Sequence, residues 1–215
     1  FIATDLYTAG PRPHNTARRQ QQGLRYYFDI NDQQQLILRY DNNNAPLLED
    51  PSALTPSAWR QDPEQTVGRA IDFNTRKSIH HRQGSVTWTL KADDYRARVA
   101  AWQGDRDVVQ FLPFAGDDIG SSGAVIDFSR QFEGSSAYVE WQATTQTDIG
   151  FGLRYERQQD HRFGFVNDEG EKGDLRRSEF NYVRKQAVYT RLTHQFNEQW
   201  RITAGARHSR FDFSV

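Results

Sequence analysis

Apolar and polar residues alternate along most of this 215-residue chain. In Gly23–Ile30, Leu24, Tyr26, Phe28 and Ile30 share one parity, and Arg25, Tyr27 and Asp29 share the other. Leu36, Leu38 and Tyr40 follow the same rule against Ile37 and Arg39, as do Val86, Trp88 and Leu90 against Ser85, Thr87 and Thr89. Tyr95–Ala101, Ala137–Ala143, Ile149–Tyr155, Val188–Phe196 and Trp200–His208 repeat it. Successive side chains of a strand point to opposite faces, so this period of two predicts eight strands, each with one apolar face.

The connections sort by length. Short polar turns fall at Asn31–Gln34, Lys91–Asp94, Thr144–Asp148 and Asn197–Gln199. Long connections fall at about 42–74, 113–127 and 162–183. Four hairpins then form an antiparallel meander with short turns at one end and long loops at the other. The alternation fits a soluble sandwich or a membrane barrel; that segregation favours an outer-membrane β-barrel, with short periplasmic turns and long extracellular loops. Phe28, Trp88, Tyr95, Trp141, Phe196 and Trp200 sit beside the short turns, as an interfacial aromatic belt requires. No charged residue interrupts the apolar parity of these stretches. Arg25, Arg39, Arg96, Arg98, Arg154, Arg201 and Arg207 all fall on the polar parity, which suits a wet or plugged lumen. They read as a network balanced by Asp29, Asp41, Glu140 and Glu156, or as a cationic lumen.

The last hairpin fixes a register. A turn at Asn197–Gln199 sets Phe196 opposite Trp200, and Thr190, Leu192 and His194 opposite Ala206, Ala204 and Ile202. Strands of about eight residues at about 3.3 Å each, tilted by about 40°, rise roughly 20 Å, which suits an apolar band about 25 Å tall. GLRY recurs at Gly23–Tyr26 and Gly152–Tyr155, with GARH at Gly205–His208 as a third version of one hairpin unit. In the first long connection, Thr55 followed by Pro56 predicts the start of a short helix.

Composition narrows the function. The absence of cysteine excludes a disulfide scaffold, a thiolate metal site and a cysteine nucleophile. A net charge of −1 argues against nucleic acid. No apolar run is long enough for a membrane helix. The N-terminus is neither a start methionine nor a signal peptide, so the chain reads as a piece from within a longer protein. His80 and His81 are neighbours on a strand and cannot chelate one ion together. Asp93-Asp94 reads as a turn and Asp117-Asp118 as a polar loop. His14 and His161 read as solvated strand-end or loop histidines, with contact to a ligand as the alternative. No nucleophile motif appears, so no enzyme, no catalytic residue, no cofactor and no metal is expected.

The segment Ala187–Phe213, AVYTRLTHQFNEQWRITAGARHSRFDF, resembles a barrel hairpin of TonB-dependent outer-membrane receptors. GPRPHNTARR at Gly10–Arg19 is similar to another stretch of such barrels. Leu54–Thr75 is similar to the branch linked to uptake of pyrroloquinoline quinone or ferric siderophores. The resemblance implies an all-β segment of a 22-stranded transmembrane barrel. Its partners would be the lipid bilayer, the remaining strands, an N-terminal plug domain absent from residues 1–215, and the TonB protein acting through that plug. It implies location in the bacterial outer membrane and import of a scarce chelate or quinone cofactor. Ligand contacts are then expected from loops and upper strand ends that combine aromatic and cationic groups: Trp59, Arg60, Arg69, Phe111, Phe114, Arg176, Arg177 and Tyr182. The competing readings are a complete small outer-membrane barrel, acting as an adhesin or structural protein, and a soluble carbohydrate-binding β-sandwich.

Overall fold

Nine strands lie side by side in chain order in a single antiparallel sheet. The structure, a computed structural model, describes residues 1–215. The strands are β1 (Ile2–Ala9), β2 (Thr16–Asn31), β3 (Gln34–Glu49), β4 (Arg76–Lys91), β5 (Tyr95–Phe111), β6 (Val125–Thr144), β7 (Thr147–Asp168), β8 (Glu171–Gln195) and β9 (Arg201–Ser214). Two short helices, α1 (Pro56–Gln61) and α2 (Gly68–Asp72), lie between β3 and β4.

The four short turns stand where the alternation places them. The last hairpin has the expected register, with Thr190, Leu192 and His194 opposite Ala206, Ala204 and Ile202. Helix α1 starts as Thr55 and Pro56 dictate: the Thr55 side chain accepts a hydrogen bond from the Ala58 amide, and Pro56 opens the helix.

Three stretches differ from the sequence reading. Ile2–Ala9 forms a ninth strand, paired with β2. Residues 162–183, expected to be a long loop, are strand almost throughout, because β7 and β8 run on to a tight tip at Asp168–Glu171. The first long connection shortens to residues 50–75, because β3 continues to Glu49. Edge strands β1 and β9 do not pair with each other, so these nine strands do not close a barrel among themselves. There is no second sheet, so a sandwich is not formed.

Only 18 of the 215 residues are buried, and the apolar side chains that would form the core of a soluble domain lie open. Register places them on one face. Row by row they run Phe28–Leu36–Trp88–Val99–Ala137–Leu153–Val188 across seven strands, with Tyr95–Trp141–Ile149–Leu192–Ala204 nearer the turns. Phe151 and Leu153 are each close to half exposed. A continuous apolar face of this extent is stable only against another apolar phase. We call it the outer face. No helix is long and apolar enough to cross a membrane, which leaves crossing by strands untouched.

At the loop end, hydrogen bonds knit the connections together. Arg12 donates to the carbonyls of Gln65, Pro51 and Ser52. His14 Nε2 bonds the Thr75 carbonyl at 2.8 Å, with its Nδ1 3.6 Å from Glu49. Asn167, almost fully buried, donates to Phe73 and Leu112 and accepts from the Gly170 amide.

Candidate functional site

The opposite, inner face is polar, and its relief is set by glycines paired with aromatic rings. Gly104 lies directly across from Phe132, Gly134 across from Trp102, and Gly152 across from Tyr189. A Cβ at any of these glycines would overlap the facing ring, and one at Gly150 would overlap Tyr138. The missing side chains let the rings settle onto the backbone, an arrangement that also stabilises glycine within a strand. Tyr138 and Tyr189 stack at 6.0 Å between centroids, and His81 stacks on Phe132 at 5.6 Å.

Two hollows meet at Trp102. The one nearer the turns, about 640 Å³, is bounded by Arg98, Trp102, Tyr138, Arg154 and Tyr189, with Ser85, Thr87 and Ser136 on its floor. The one nearer the loops, about 350 Å³, is bounded by His81, Arg106, Arg130, Phe132, Lys185 and Phe211. The Arg154 guanidinium stands over the Trp102 ring at 5.1 Å, Lys185 over Phe211 at 5.5 Å, and Arg207 over Tyr189 at 5.5 Å. A cation over a ring face is held by about 0.5–2 kcal/mol, depending on desolvation.

The inner-face arginines divide into two sets. Arg39 pairs with Asp41, Arg96 with Glu140 at 3.7 Å, and Arg154 with Glu156 at 2.7 Å, as a balanced network requires. Arg25, Arg98, Arg191, Arg201 and Arg207 have no carboxylate within 4.0 Å. Above the outer apolar band, Asp160 holds Arg130 through two bonds of 2.7 and 2.8 Å, which raises the guanidinium pKa further against the opposing effect of burial. The five arginines without a carboxylate outnumber the unpaired inner-face carboxylates near the turns, Asp29 and Asp148, and give the wall there a positive excess. With ring faces beside it, the surface suits an anionic, planar or aromatic solute.

The residues expected from sequence to contact ligand are dispersed. Trp59 and Arg60 lie exposed on α1, and Arg69 lies exposed on α2. Phe111 is buried, with the Arg76 guanidinium 3.8 Å above its ring, so it packs the top of the sheet. Phe114 is partly exposed in the loop after β5. Arg176 donates to the Asp118 carbonyl, and Arg177 pairs with Glu179 at 2.6 Å. These two arginines share a hollow of about 520 Å³ with Gly120–Ser122 and Leu175. Tyr182 faces outward, opposite Gln159 and Ser214. His161 also lies on the outer face, stacked on Phe180 at 4.0 Å. The sequence reading passed over Trp102, Tyr138, Tyr189 and Lys185. Their signal was parity: each falls on the polar face of its strand, and all but Lys185 stand opposite or diagonal to a glycine.

A sequential antiparallel meander with one apolar face, one polar glycine-rich face and loops segregated by length is a stretch of transmembrane β-barrel wall. Solved structures agree. The chain superposes on the ferric citrate transporter FecA in its unliganded form with a TM-score of 0.76 and 13% identity, over 94% of this chain and 30% of that one. It superposes on the ferric yersiniabactin uptake receptor FyuA from Yersinia pestis with a TM-score of 0.74 and 11% identity, over 98% of this chain and 34% of that one. FpvAI, in its complex with pyocin S2, gives 0.65 and 10%, over 99% of this chain and 33% of that one. At such identities the likeness establishes the fold. The chain spans about a third of each of these proteins. No protein-family model matches it.

Proposed function

We propose that the chain is part of the barrel wall of a TonB-dependent outer-membrane receptor that imports a scarce anionic ligand, of which ferric siderophores are the leading class. The observation that carries this reading is the inner-face hollow at Trp102, where Arg98, Arg154 and two stacked tyrosines offer cations and ring faces together. Two of the superposed structures carry iron chelates in their names, ferric citrate and ferric yersiniabactin. A quinone cofactor, also anionic and planar, suits the same surface.

In this reading the wall binds and guides and catalyses nothing. The outer apolar face meets lipid. Open edges at β1 and β9 need neighbouring strands, because unpaired backbone groups are too costly in hydrocarbon. The plug and its coupling to TonB belong to other parts of the protein. First capture falls to the loop end, where Trp59, Arg60, Arg69, Phe114, Arg176 and Arg177 lie. Passage then proceeds along the cationic inner wall.

The test is growth and uptake in a strain whose own copy is deleted, complemented with the whole receptor. Radiolabelled ferric siderophores and pyrroloquinoline quinone are offered in turn. Restored uptake of one of them is expected. Arg98→Ala with Arg154→Ala should reduce it at least about tenfold, since a hydrogen bond to a charged group is worth about 1.5–3 kcal/mol. Uptake unchanged in the double variant removes the inner-wall site, and no uptake of any candidate removes the ligand class.

A further inference from the structure

Above the outer apolar band, the β4–β5 ladder carries a group that the passage does not use. His80 lies opposite Asp107, and Asp105 is one step along the same face, opposite Arg82. One ligand atom from each of His80, Asp105 and Asp107 lies within 4.8 Å of the other two. From this geometry we infer that these three residues form a binding site for a first-row divalent transition ion of the zinc type, on the outer face of the wall just above the lipid.

Four observations support the assignment. The donors come from two rigid, directly paired strands, so the site is organised before the ion arrives. The donor set of one imidazole and two carboxylates suits zinc-like ions and disfavours magnesium and calcium, which take oxygen alone. Both carboxylates are held by neighbours on the same face: Arg82 bonds both oxygens of Asp105 from Nε and Oδ1 also from Nη2, and the Ser129 hydroxyl donates to Asp107. Second-shell bonds of this kind fix ligand geometry in metal sites. The fourth observation lies outside the cluster. Asn42, on the facing strand β3 and opposite Arg82, has a buried Oδ1 with no hydrogen-bond partner, although its amide nitrogen bonds Gln22. It is an orphaned oxygen on the same face, diagonal to His80 in the β3–β4 ladder.

The adjacent pair His80-His81 cannot form this site, because His81 faces inward and stacks on Phe132. The second ligand comes from the neighbouring strand.

The test uses the whole receptor in detergent, free of affinity tag and stripped with chelator, titrated with ZnCl₂ by calorimetry. One ion per chain is expected. His80→Ala and Asp107→Asn should each weaken binding by at least about tenfold, on the scale at which even outer-shell losses act. His81→Ala, one residue away on the other face, should leave it unchanged. Native folding of each variant is checked by heat-dependent gel mobility. The inference fails if wild type binds no zinc beyond the His80→Ala/Asp107→Asn double variant. It also fails if His81→Ala weakens binding as much as His80→Ala, or if calcium binds as tightly as zinc.

Discussion

The side-chain amide of Asn167 donates to the backbone carbonyl of Phe73 at 2.9 Å, joining the β7–β8 tip to the end of α2 across 94 residues of chain. The same nitrogen reaches Leu112 O, also at 2.9 Å, and the backbone amide of Asn167 donates to Ala115 O. Three separate connections therefore hang on one nearly inaccessible side chain. Asn167→Ala leaves the Phe73 carbonyl and the Gly170 amide without their side-chain partner, at about 1–3 kcal/mol for each group that stays buried, while Leu112 O keeps the Phe114 amide. Protease added to intact cells should cut residues 50–75 and 112–124 faster in this variant, with the apolar band and barrel mobility on gels unchanged. Equal cutting rates would show that the loops are held by other contacts.

Leu153 and Arg154 test the assignment of faces. They are neighbours on β7, one set in the apolar row and the other beside Trp102. Leu153→Arg should destabilise the whole barrel protein in bilayers by about 2–4 kcal/mol, the cost of arginine at mid-depth on a lipid-facing position. Arg154→Leu should cost much less, because the inner face is wet. Unfolding by denaturant from lipid vesicles measures both. The opposite ranking would reverse inside and outside.

Gly134 offers a probe of the hollow that leaves every charge in place. An added methyl at this position overlaps the indole of Trp102. Gly134→Ala should push that ring off the wall, shifting the tryptophan emission of the receptor and lowering uptake as far as Trp102→Ala does. Normal uptake with a displaced ring would separate Trp102 from ligand passage.

Glu179 supplies a pH dependence at the loop end, beyond the membrane band. Its carboxyl sits below the ordinary glutamate range, held chiefly by hydrogen bonds from Arg177 and then from Asn181. A depressed folded pKa means that the pair contributes fully above the unfolded value of about 4.3 and is lost as pH falls through the folded value. Hydrogen exchange at Ser178–Tyr182, corrected for the intrinsic pH effect, should be flat from pH 7 to 5 and rise only at lower pH. Glu179→Gln should abolish that rise. A change centred near pH 6 would implicate a histidine instead.

Much of this fold was legible in advance where the membrane imposes contrast. Ile149, Phe151, Leu153 and Tyr155 alternate with small or charged residues, because one face meets lipid and the other meets water. Contrast of that kind fixes both strand and register. Beyond the band both faces are wet, and the signal disappears: residues 162–183 are strand without showing it. Ile2–Ala9 is hidden for a related reason, since Ile2 and Leu6 stand on one face and Tyr7 on the other. Helix α1 announced itself through Thr55, whereas α2 is preceded by Val67, whose side chain caps nothing. For the site, the aromatic and basic residues of loops and upper strand ends prove dispersed, with Arg176 and Arg177 beside one hollow. Parity placed the inner-wall arginines but not the rings beside them, whose recognisable feature is a glycine facing each ring on the next strand. Pairing of that kind becomes visible only once register is known.

Those ring-on-glycine pairs also bear on the bore of the proposed passage. An indole or phenol projecting from the wall would narrow the opening by most of its own length. Trp102, Phe132, Tyr138 and Tyr189 instead lie recessed in notches that glycine leaves in the sheet. The wall is thereby lined with aromatic surface at almost no expense in clearance. In the proposed import role, a bulky solute would meet the flat sides of rings in succession and no protruding edge on which to lodge.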